Sequence, residues 1–247
     1  MQLDVVGAGP AYTDRLGATG AAYLVRSGST AVLLDLGQGS FPRLASMLPP
    51  SALDAVLISH LHPDHFIDLV ALRHYLHWEF QPARRVRVIA PATLERRLDA
   101  LHDEPGFTAA SLDVEDLRAG SMEIGDLHVE AGRVTHTDDS YGLRVSTPEG
   151  TGIVYSGDCG QAADLEPLIR PGDVLLAEVS FGPGPVAAGA MHLDGPAVGA
   201  LAARTWAGRV LLTHIQMGFD PTATIDAVTA LYGGPVDLVQ PGDRFEI

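Results

Sequence analysis

The sequence of 247 residues contains no lysine and no asparagine, so all 16 of its basic side chains are arginines. Without lysine, the chain cannot form a Schiff base, carry a P-loop lysine or use a Ser–Lys dyad, and without asparagine it has no N-glycosylation site. Its one cysteine, Cys159, excludes a disulfide within the chain and a zinc site built from four cysteines. Its chemistry must therefore come from other side chains.

Basic charge is scarce as well, since 31 acidic residues against 16 arginines give a net charge of −15. Nucleic-acid backbones and anionic membranes are bound mainly by basic surfaces, so this balance argues against either as the main partner. No apolar run approaches the ~20 residues of a membrane span, and the amino terminus lacks the positive and apolar regions of a signal peptide. We therefore expect a cytoplasmic protein.

Short apolar runs bounded by Gly, Pro or Asp recur along the chain, with helical stretches between them. The predicted strands are Leu3–Val6, Ala22–Val25, Ala31–Asp35, Ala55–Ser59, Val86–Ala90, Met122–Ile124, Leu127–Ala131, Gly142–Thr147, Gly152–Ser156, Val174–Glu178, Arg209–Thr213 and Val236–Val239. The predicted helices are Phe41–Leu48, Asp64–Trp78, Ala92–His102, Gln161–Ile169, Gly195–Trp206 and Pro221–Tyr232. This order favours an α/β layered fold with mixed sheets, and the lack of a linker favours one domain over residues 1–247.

The strongest chemical signal is the run His60-Leu61-His62-Pro63-Asp64-His65, which follows an apolar strand and precedes a helical stretch. Three imidazoles and a carboxylate suit metal binding, but so short a run can hardly wrap all four around one ion. His60 and His62 alternate along an extended segment and point the same way, whereas Asp64 and His65 enter the helix and can face a second ion. Polar groups at the end of a buried strand are costly unless something satisfies them, and a metal pair does so.

Two ions need more ligands than this run supplies. Three later residues are of a metal-binding type and each stands at the end of an apolar strand: His136, Asp158 and His214. Taken alone, each is more often a capping or otherwise satisfied polar residue. Taken together with the first run, they favour a binuclear site.

In this order, the His-x-His-x-Asp-His run, His136, the Ser-Gly-Asp-Cys around Asp158 and the Leu-Thr-His-Ile around His214 resemble the metallo-β-lactamase superfamily. The resemblance covers nearly the whole chain. It implies an α/β fold, the four-layer αβ/βα sandwich with two mixed β-sheets, and a binuclear site of two Zn²⁺ along one edge, with Mn²⁺ or Fe as alternatives. It implies one ion held by His60, His62 and His136, a second held by Asp64, His65 and His214, and Asp158 as a bridge between them.

The ligand set implies the chemistry. Two ions roughly 3.5–4 Å apart can share a water and lower its pKa toward ~7, which gives a metal-bridging hydroxide as the nucleophile. Asp158 would orient that hydroxide, and Asp64 and Asp158 are predicted catalytic residues. Asp35, at the end of an early strand, matches an aspartate that supports the site in this superfamily, although it also reads as a simple turn residue.

One stretch points to the ribonuclease Z-like and cyclic-nucleotide phosphodiesterase-like branch. The strand ending at Glu178 and the segment Met191-His192-Leu193-Asp194 are similar to a strand and helix start of those phosphodiesterases. There the matching histidine contacts the phosphate and can protonate the leaving oxygen, which makes His192 a third predicted catalytic residue. A helix N-terminus also offers free backbone N–H groups to an anion. Glu178 is a candidate partner of His192.

The chain departs from ribonuclease Z in lacking an insertion for the arm that grips tRNA, since only 158 − 136 = 22 residues separate two of the motifs. We therefore expect a small anionic phosphodiester, such as a cyclic nucleotide, rather than tRNA. Many similar proteins are dimers, so a homodimer is compatible with the resemblance. The densest basic stretch could hold an anion or be a solvated surface; it contains Arg84, Arg85, Arg87, Arg96 and Arg97.

Other readings stay open at this point. The same hydroxide could attack a carbonyl, as in a lactonase, thioesterase or β-lactamase. A mono-iron persulfide dioxygenase would need only His60, His62, His136 and Asp158 as ligands. A metal-dependent carrier without catalytic activity is a third alternative, because a fold does not by itself imply an activity.

Overall fold

The computed structural model describes residues 1–148 and 150–247. Its strands are β1 (Gln2–Gly7), β2 (Ala22–Ser27), β3 (Thr30–Leu34), β4 (Ala55–Leu57), β5 (Val86–Ala90), β6 (Leu112–Asp116), β7 (Gly120–Ile124), β8 (Leu127–Arg133), β9 (Tyr141–Ser146), β10 (Gly152–Tyr155), β11 (Val174–Glu178), β12 (Arg209–Thr213), β13 (Val236–Leu238) and β14 (Arg244–Glu246). Its α-helices are α1 (Phe41–Met47), α2 (Pro63–Phe66), α3 (Leu69–Trp78), α4 (Leu94–His102), α5 (Gly195–Thr205) and α6 (Pro221–Thr229). Short 3₁₀ helices lie at Pro50–Ala52, Thr108–Ala110 and Ala162–Leu168.

The strands form two mixed sheets of seven strands each. The first has the order β14-β1-β2-β3-β4-β5-β6, antiparallel as far as β3 and parallel from β3 to β6. The second has the order β13-β12-β11-β10-β9-β8-β7, parallel from β13 to β10 and antiparallel from there to β7.

Three layers of apolar side chains hold the sheets and helices together. Along β2, Tyr23 and Val25 join the core between the two sheets, while Ala22 and Leu24 join the core under α1, α3 and α4. A third core lies between the second sheet and helices α5 and α6. Strands that are buried on both faces read as continuous apolar runs, which is why the sequence predicts them well. The predicted four-layer αβ/βα sandwich with two mixed sheets is confirmed.

The predicted helix Asp64–Trp78 is wrong as one element, because α2 ends at Phe66 and α3 begins at Leu69. The carbonyl of Asp64 accepts from the Ala21 N–H at 3.0 Å, and the Asp68 N–H donates to the Leu36 carbonyl at 3.1 Å. The helical hydrogen bond between residues 64 and 68 is therefore replaced by two bonds to neighbouring loops. Gly37 makes this approach feasible, because a Cβ there would lie 1.8 Å from the Asp64 carbonyl oxygen.

Three other elements differ from the prediction. The predicted helix Gln161–Ile169 is a 3₁₀ helix over Ala162–Leu168 with Pro167 inside it, and proline cannot donate to an α-helical hydrogen bond. Strands β6 and β14 were not predicted, and both are short, charged and partly exposed.

No helix in the two described ranges is long and apolar enough to span a membrane. The cytoplasmic location stays a prediction.

Candidate metal centre

The site is built where parallel strands end. Asp35 follows β3, and Ser59 and His60 follow β4, which pairs with β3 in parallel. Asp158 follows β10, and His214 follows β12, which belongs to the parallel part of the second sheet. The carboxyl ends of parallel strands open at one edge of a sheet, where α/β proteins commonly bind ligands. The two sheets thus bring side chains that are far apart in sequence to one place.

A first group of ligand atoms comes from His60, His62, His136 and Asp158, all within 4.8 Å of one another. His62 Nδ1 lies 3.2 Å from His60 Nε2 and 3.1 Å from His136 Nε2. Asp158 Oδ2 lies 3.7 Å from His60 Nε2 and 3.6 Å from His136 Nε2. Ligands about 2.0–2.2 Å from one tetrahedral zinc ion are separated from each other by roughly 3.3–3.6 Å. The spacing of this group suits a single divalent ion.

A second group comes from Asp64, His65 and His214. Asp64 Oδ2 lies 3.1 Å from His214 Nε2 and 3.6 Å from His65 Nε2. The other carboxylate oxygen of Asp158, Oδ1, lies 3.3 Å from His65 Nε2 and 3.6 Å from His214 Nε2. Asp158 therefore turns one oxygen toward each group, which is the placement a bridging ligand needs.

Two of these atoms lack a hydrogen-bond partner within the part of the chain that the structure describes. His65 Nε2 and Asp158 Oδ1 are both buried and face each other at 3.3 Å without hydrogen-bond geometry. A buried polar atom with no partner is costly, and a charged one more so. A cation between the two groups would satisfy both atoms. The side chains present therefore fit a pair of divalent metal ions.

A hydrogen bond at the ring nitrogen that faces away from Asp64 and Asp158 fixes the orientation of His65. Its Nδ1 donates to Asp35 Oδ2 at 2.7 Å, which leaves Nε2 as the nitrogen that can bind an ion. Asp35 also accepts from the Ser59 N–H, the Ser59 hydroxyl and the Tyr155 hydroxyl, each at 2.7 Å. Asp35 is thus a supporting residue and not a simple turn aspartate.

Metal binding needs neutral imidazoles and ionised carboxylates, and the pKa shifts at the site meet this need at His60 and Asp158 but not at His65. Burial lowers the pKa of His60 well below its usual value. Burial alone would raise the pKa of Asp158, but the imidazoles of His214 and His65 outweigh it and hold the pKa well below its usual value. Burial alone would lower the pKa of His65, but the carboxylates of Asp158 and Asp35 raise it well above its usual value. A divalent ion would compete with that proton.

The backbone at His214 has φ of 57°, in the left-handed region that residues other than glycine adopt at a cost in free energy. Its N–H donates to the Ala8 carbonyl at 3.0 Å, and its Nδ1 lies 3.0 Å from the Ser180 hydroxyl. These contacts hold the imidazole so that Nε2 points at Asp64. Strain of this kind clusters at functional sites because the surrounding structure must enforce it.

His192 stands beside the first group. Its ring centroid is 4.8 Å from that of His136, and its Nδ1 lies 2.9 Å from Glu178 Oε1. Glu178 is buried and also accepts from the N–H groups of Cys159 and Ser180. The candidate partnership of Glu178 with His192 is therefore present as a hydrogen bond.

The expectation that free backbone N–H groups at a helix N-terminus would attract an anion to His192 is wrong. His192 precedes Asp194, the N-cap of α5, and the Asp194 carboxylate accepts from the Ala197 N–H at 2.9 Å. The helix therefore offers an anion a capped N-terminus with a negative charge, not a set of free N–H groups. Any contact with a phosphate must come from the imidazole itself.

A cavity of about 280 Å³ opens onto the centre and is lined by Asp64, Asp158, His192 and His214 among others. Tyr12 and Gln216 line it too, and neither was predicted from the sequence. Both lie in loops between strands or helices and are of no metal-binding type, so no sequence pattern marks them. Only the fold brings them to the mouth of the site.

The basic stretch at 84–97 lies elsewhere. Arg85 forms an ion pair with Asp113, and Arg87 forms a bidentate ion pair with Glu115 on the neighbouring strand. Arg97 donates to the Leu61 carbonyl. None of the five arginines lines the cavity at the centre. The structure therefore favours their interpretation as surface residues.

A family model described as a beta-lactamase superfamily domain matches residues 31–215 of the chain. The chain belongs to the metallo-β-lactamase superfamily. The uncharacterized protein ML1173 of Mycobacterium leprae is 32% identical over 234 residues, which cover 92% of this chain and 82% of that protein. Ribonuclease Z of Mycobacterium bovis is 28% identical over 181 residues, or 65% of this chain and 64% of that protein.

The metallo-β-lactamase-fold protein YhfI of Bacillus subtilis is similar over its whole length. In sequence it is described as a probable metallo-hydrolase and is 26% identical over 234 residues, which cover 92% of each chain. Its crystal structure matches with a TM-score of 0.87 at 20% identity over 99% of both chains. This likeness extends the shared fold to nearly every residue. The predicted superfamily and its ribonuclease Z-like relatives are thus confirmed.

Proposed function

We propose that this protein is a metal-dependent hydrolase that cleaves phosphodiester bonds of small substrates, such as a cyclic nucleotide, at a binuclear centre. Membership of the metallo-β-lactamase superfamily supports the hydrolase. The sequence similarity to ribonuclease Z supports a phosphodiester as the bond cleaved. The observation that carries the proposal is Asp158, whose two oxygens face two separate groups of ligand atoms.

The ligands of the proposed ions divide as the two groups do. One ion would be held by His60, His62 and His136, the other by Asp64, His65 and His214, and Asp158 would contact both. Zinc suits this mixture of imidazole and carboxylate, with manganese or iron as alternatives. Two such cations supply Lewis acidity, which acidifies a water molecule and draws charge from the phosphate oxygens.

His192 supplies the proton for the leaving oxygen. Because its Nδ1 is occupied by Glu178, Nε2 is the ring nitrogen left for the substrate, and His192 lines the cavity. Burial alone would lower the pKa of His192, but the hydrogen bond and charge of Glu178 raise it, which favours the protonated form that can donate. Glu178 acts as a positioning residue through this bond.

The size and charge of the molecule favour a small anion over a nucleic acid. The cavity of about 280 Å³ lies near the lower end of small-molecule sites. The net charge of −15 opposes binding of a long phosphate backbone, which needs many basic contacts. We therefore propose no tRNA partner and no membrane partner.

A substrate panel tests this function. The zinc-loaded protein is assayed with bis(p-nitrophenyl) phosphate and with 2′,3′- and 3′,5′-cyclic nucleotides, and separately with lactones and nitrocefin. We expect turnover of the phosphodiesters. Turnover of the carbonyl compounds alone would replace the proposal with a lactonase or β-lactamase, and one iron per chain with persulfide oxidation would replace it with a dioxygenase.

The role of His192 has its own test. We expect His192→Gln to lower kcat for the best phosphodiester about 100- to 10,000-fold, the range for loss of a general acid, with metal content unchanged. The matched control is His128→Gln, since His128 pairs with Glu123 at 2.6 Å on the surface of β8. Equal kcat values for the two variants would remove His192 from the mechanism.

A further inference from the structure

A second cavity, of about 510 Å³, lies beside the metal centre. The loop after β1 lines both cavities, with Pro10 to Tyr12 at the centre and Arg15 to Ala18 at the second cavity. The segment after β12 does the same through Gln216 and Ile215. The two cavities share these loops but no lining residue.

The second cavity carries positive charge without compensation. Arg15 and Arg43 line it, and no aspartate or glutamate among residues 1–148 and 150–247 does. This is unusual in a chain with 31 acidic side chains and 16 arginines. Neither arginine forms an ion pair with any residue in the described ranges.

Arg15 is held in place by neutral groups. Its Nη1 donates to the Ile215 carbonyl at 2.8 Å and its Nη2 to the Phe219 carbonyl at 3.4 Å. These bonds use two of the five N–H groups of the guanidinium and leave its charge unneutralised. The fork is thus fixed at the wall of the cavity before a ligand arrives.

Arg43 has no acceptor at all among the described residues. Its half-buried side chain forms no hydrogen bond, and its Nε is buried without a partner. A partly desolvated cation with no counter-charge is costly, and an anion in the cavity would relieve that cost. The two charges come from different parts of the fold, since Arg43 lies on α1 and Arg15 lies in the loop between β1 and β2.

The other walls are mostly apolar, with Leu16, Ile215, Leu238 and Val239 among them. A volume of about 510 Å³ falls within the range of small-molecule sites, which combine apolar walls with a few polar groups. Guanidinium forks match the oxygens of a phosphate group. We propose that this cavity binds a small organic phosphate monoester, with its phosphate between Arg15 and Arg43 and its organic part against the apolar walls.

Calorimetric titration of the metal-loaded protein tests the site, with adenosine 5′-monophosphate as the probe. We expect Arg43→Gln to weaken binding at least about tenfold, the effect of one charge-assisted contact, and Arg96→Gln to leave it unchanged. Arg96 is a matched control because it is exposed on α4 and lines neither this cavity nor the one at the metal centre. Adenosine and inorganic phosphate should each bind more weakly than the monophosphate.

Three results would overturn the proposal: no binding of the monophosphate, equal affinities of the two variants, or equal affinity for inorganic phosphate. Equal affinities would place the ligand at the metal centre instead. If Arg43→Gln does not fold, phenylglyoxal can be used to modify the arginines of the wild-type protein, and the rate of modification is measured at each arginine. The monophosphate should slow modification of Arg15 and Arg43 but not of Arg96, and equal rates with and without it would contradict the site.

Discussion

Asp35 shows how much one buried carboxylate can organise. It is fully buried, its φ is 60°, and it accepts four hydrogen bonds, three of them at Oδ2. Its position at a strand end is equally typical of a turn, and the supporting role was predicted from the resemblance to the superfamily. Its role depends on Tyr155, which lies 120 residues away and which no local pattern connects to it.

We expect Asp35→Asn to destabilise the fold by about 1–3 kcal/mol, because an amide would turn an N–H group toward a buried donor. The His65 ring would also lose the hydrogen bond that orients it, and metal affinity should fall about 10- to 100-fold. Urea unfolding and competition with a chelator measure the two effects. Tyr155→Phe is the control, since it removes one donor and should have the smaller effect. Wild-type stability and metal affinity in Asp35→Asn would contradict the account.

Asp173 is a second buried carboxylate, remote from the centre. It accepts from Arg144 Nε at 2.7 Å, from the Gly152 N–H at 2.6 Å and from the Arg170 N–H at 2.9 Å. Burial alone would raise its pKa, but these donors lower the pKa below the usual value of 3.8. The unfolded chain therefore takes up this proton more readily, and the stabilisation is present above pH 3.8 and is lost as the pH falls through the folded value.

We expect the stability difference between wild type and Asp173→Asn to be full near pH 6 and to shrink below about pH 4. Urea unfolding at several pH values measures it. Asp113→Asn is the control, because Asp113 pairs with Arg85 on the exposed surface, where such pairs contribute little. A difference that does not vary with pH would show that the carboxylate charge is not what stabilises this region.

Among the elements, the apolar strands and the residues just after them were predictable. A strand covered on both faces must be apolar throughout, so a histidine or aspartate at its end stands out. This is how the sequence marked His60, Asp158 and His214 as candidate ligands. Strands β6 and β14 were missed because edge strands carry charge and face solvent, and their sequences then resemble loops.

The break between α2 and α3 could not be predicted from the sequence, because it depends on loops that the chain brings in from elsewhere. Ala21 and Leu36 take the backbone groups that would have continued the helix. Asp68, at the break, accepts from the Phe41 N–H at 2.8 Å and so caps the start of α1. The break thus links α1 to the segment that carries Asp64 and His65.

We expect Asp68→Ala to destabilise the protein by about 1 kcal/mol, the usual cost of losing a helix cap. Urea unfolding measures this change. Ser46→Ala, at the exposed end of α1, is the control and should stay within about 0.5 kcal/mol of wild type. If the two variants have the same stability, the Asp68 carboxylate does not cap α1.

For the whole molecule, the two sheets converge on polar groups that they cannot satisfy by themselves. His65 Nε2 and Asp158 Oδ1 have no hydrogen-bond partner among the residues that the structure describes, and Asp64 and Asp158 bring two carboxylates to one buried site. An ion that binds only the folded state stabilises it, by about 2.7 kcal/mol at 100 times its dissociation constant. We therefore expect metal binding to stabilise the fold.

We expect a chelator to lower the melting temperature and added zinc to restore it. Asp158→Ala should show a much smaller recovery, because it lacks the carboxylate that faces both groups of ligand atoms. His128→Gln should recover as the wild type does. If neither the chelator nor zinc changes the melting temperature, the buried ligand atoms do not need a metal ion to stabilise the fold.

The most direct test of the central claim is a zinc titration of the metal-stripped protein, followed by hydrolysis of bis(p-nitrophenyl) phosphate. The account predicts that activity rises until two equivalents of zinc are bound per chain, and that Asp158→Ala neither binds the pair nor gains activity. Activity without metal, or saturation at one equivalent, would contradict a binuclear centre bridged by Asp158.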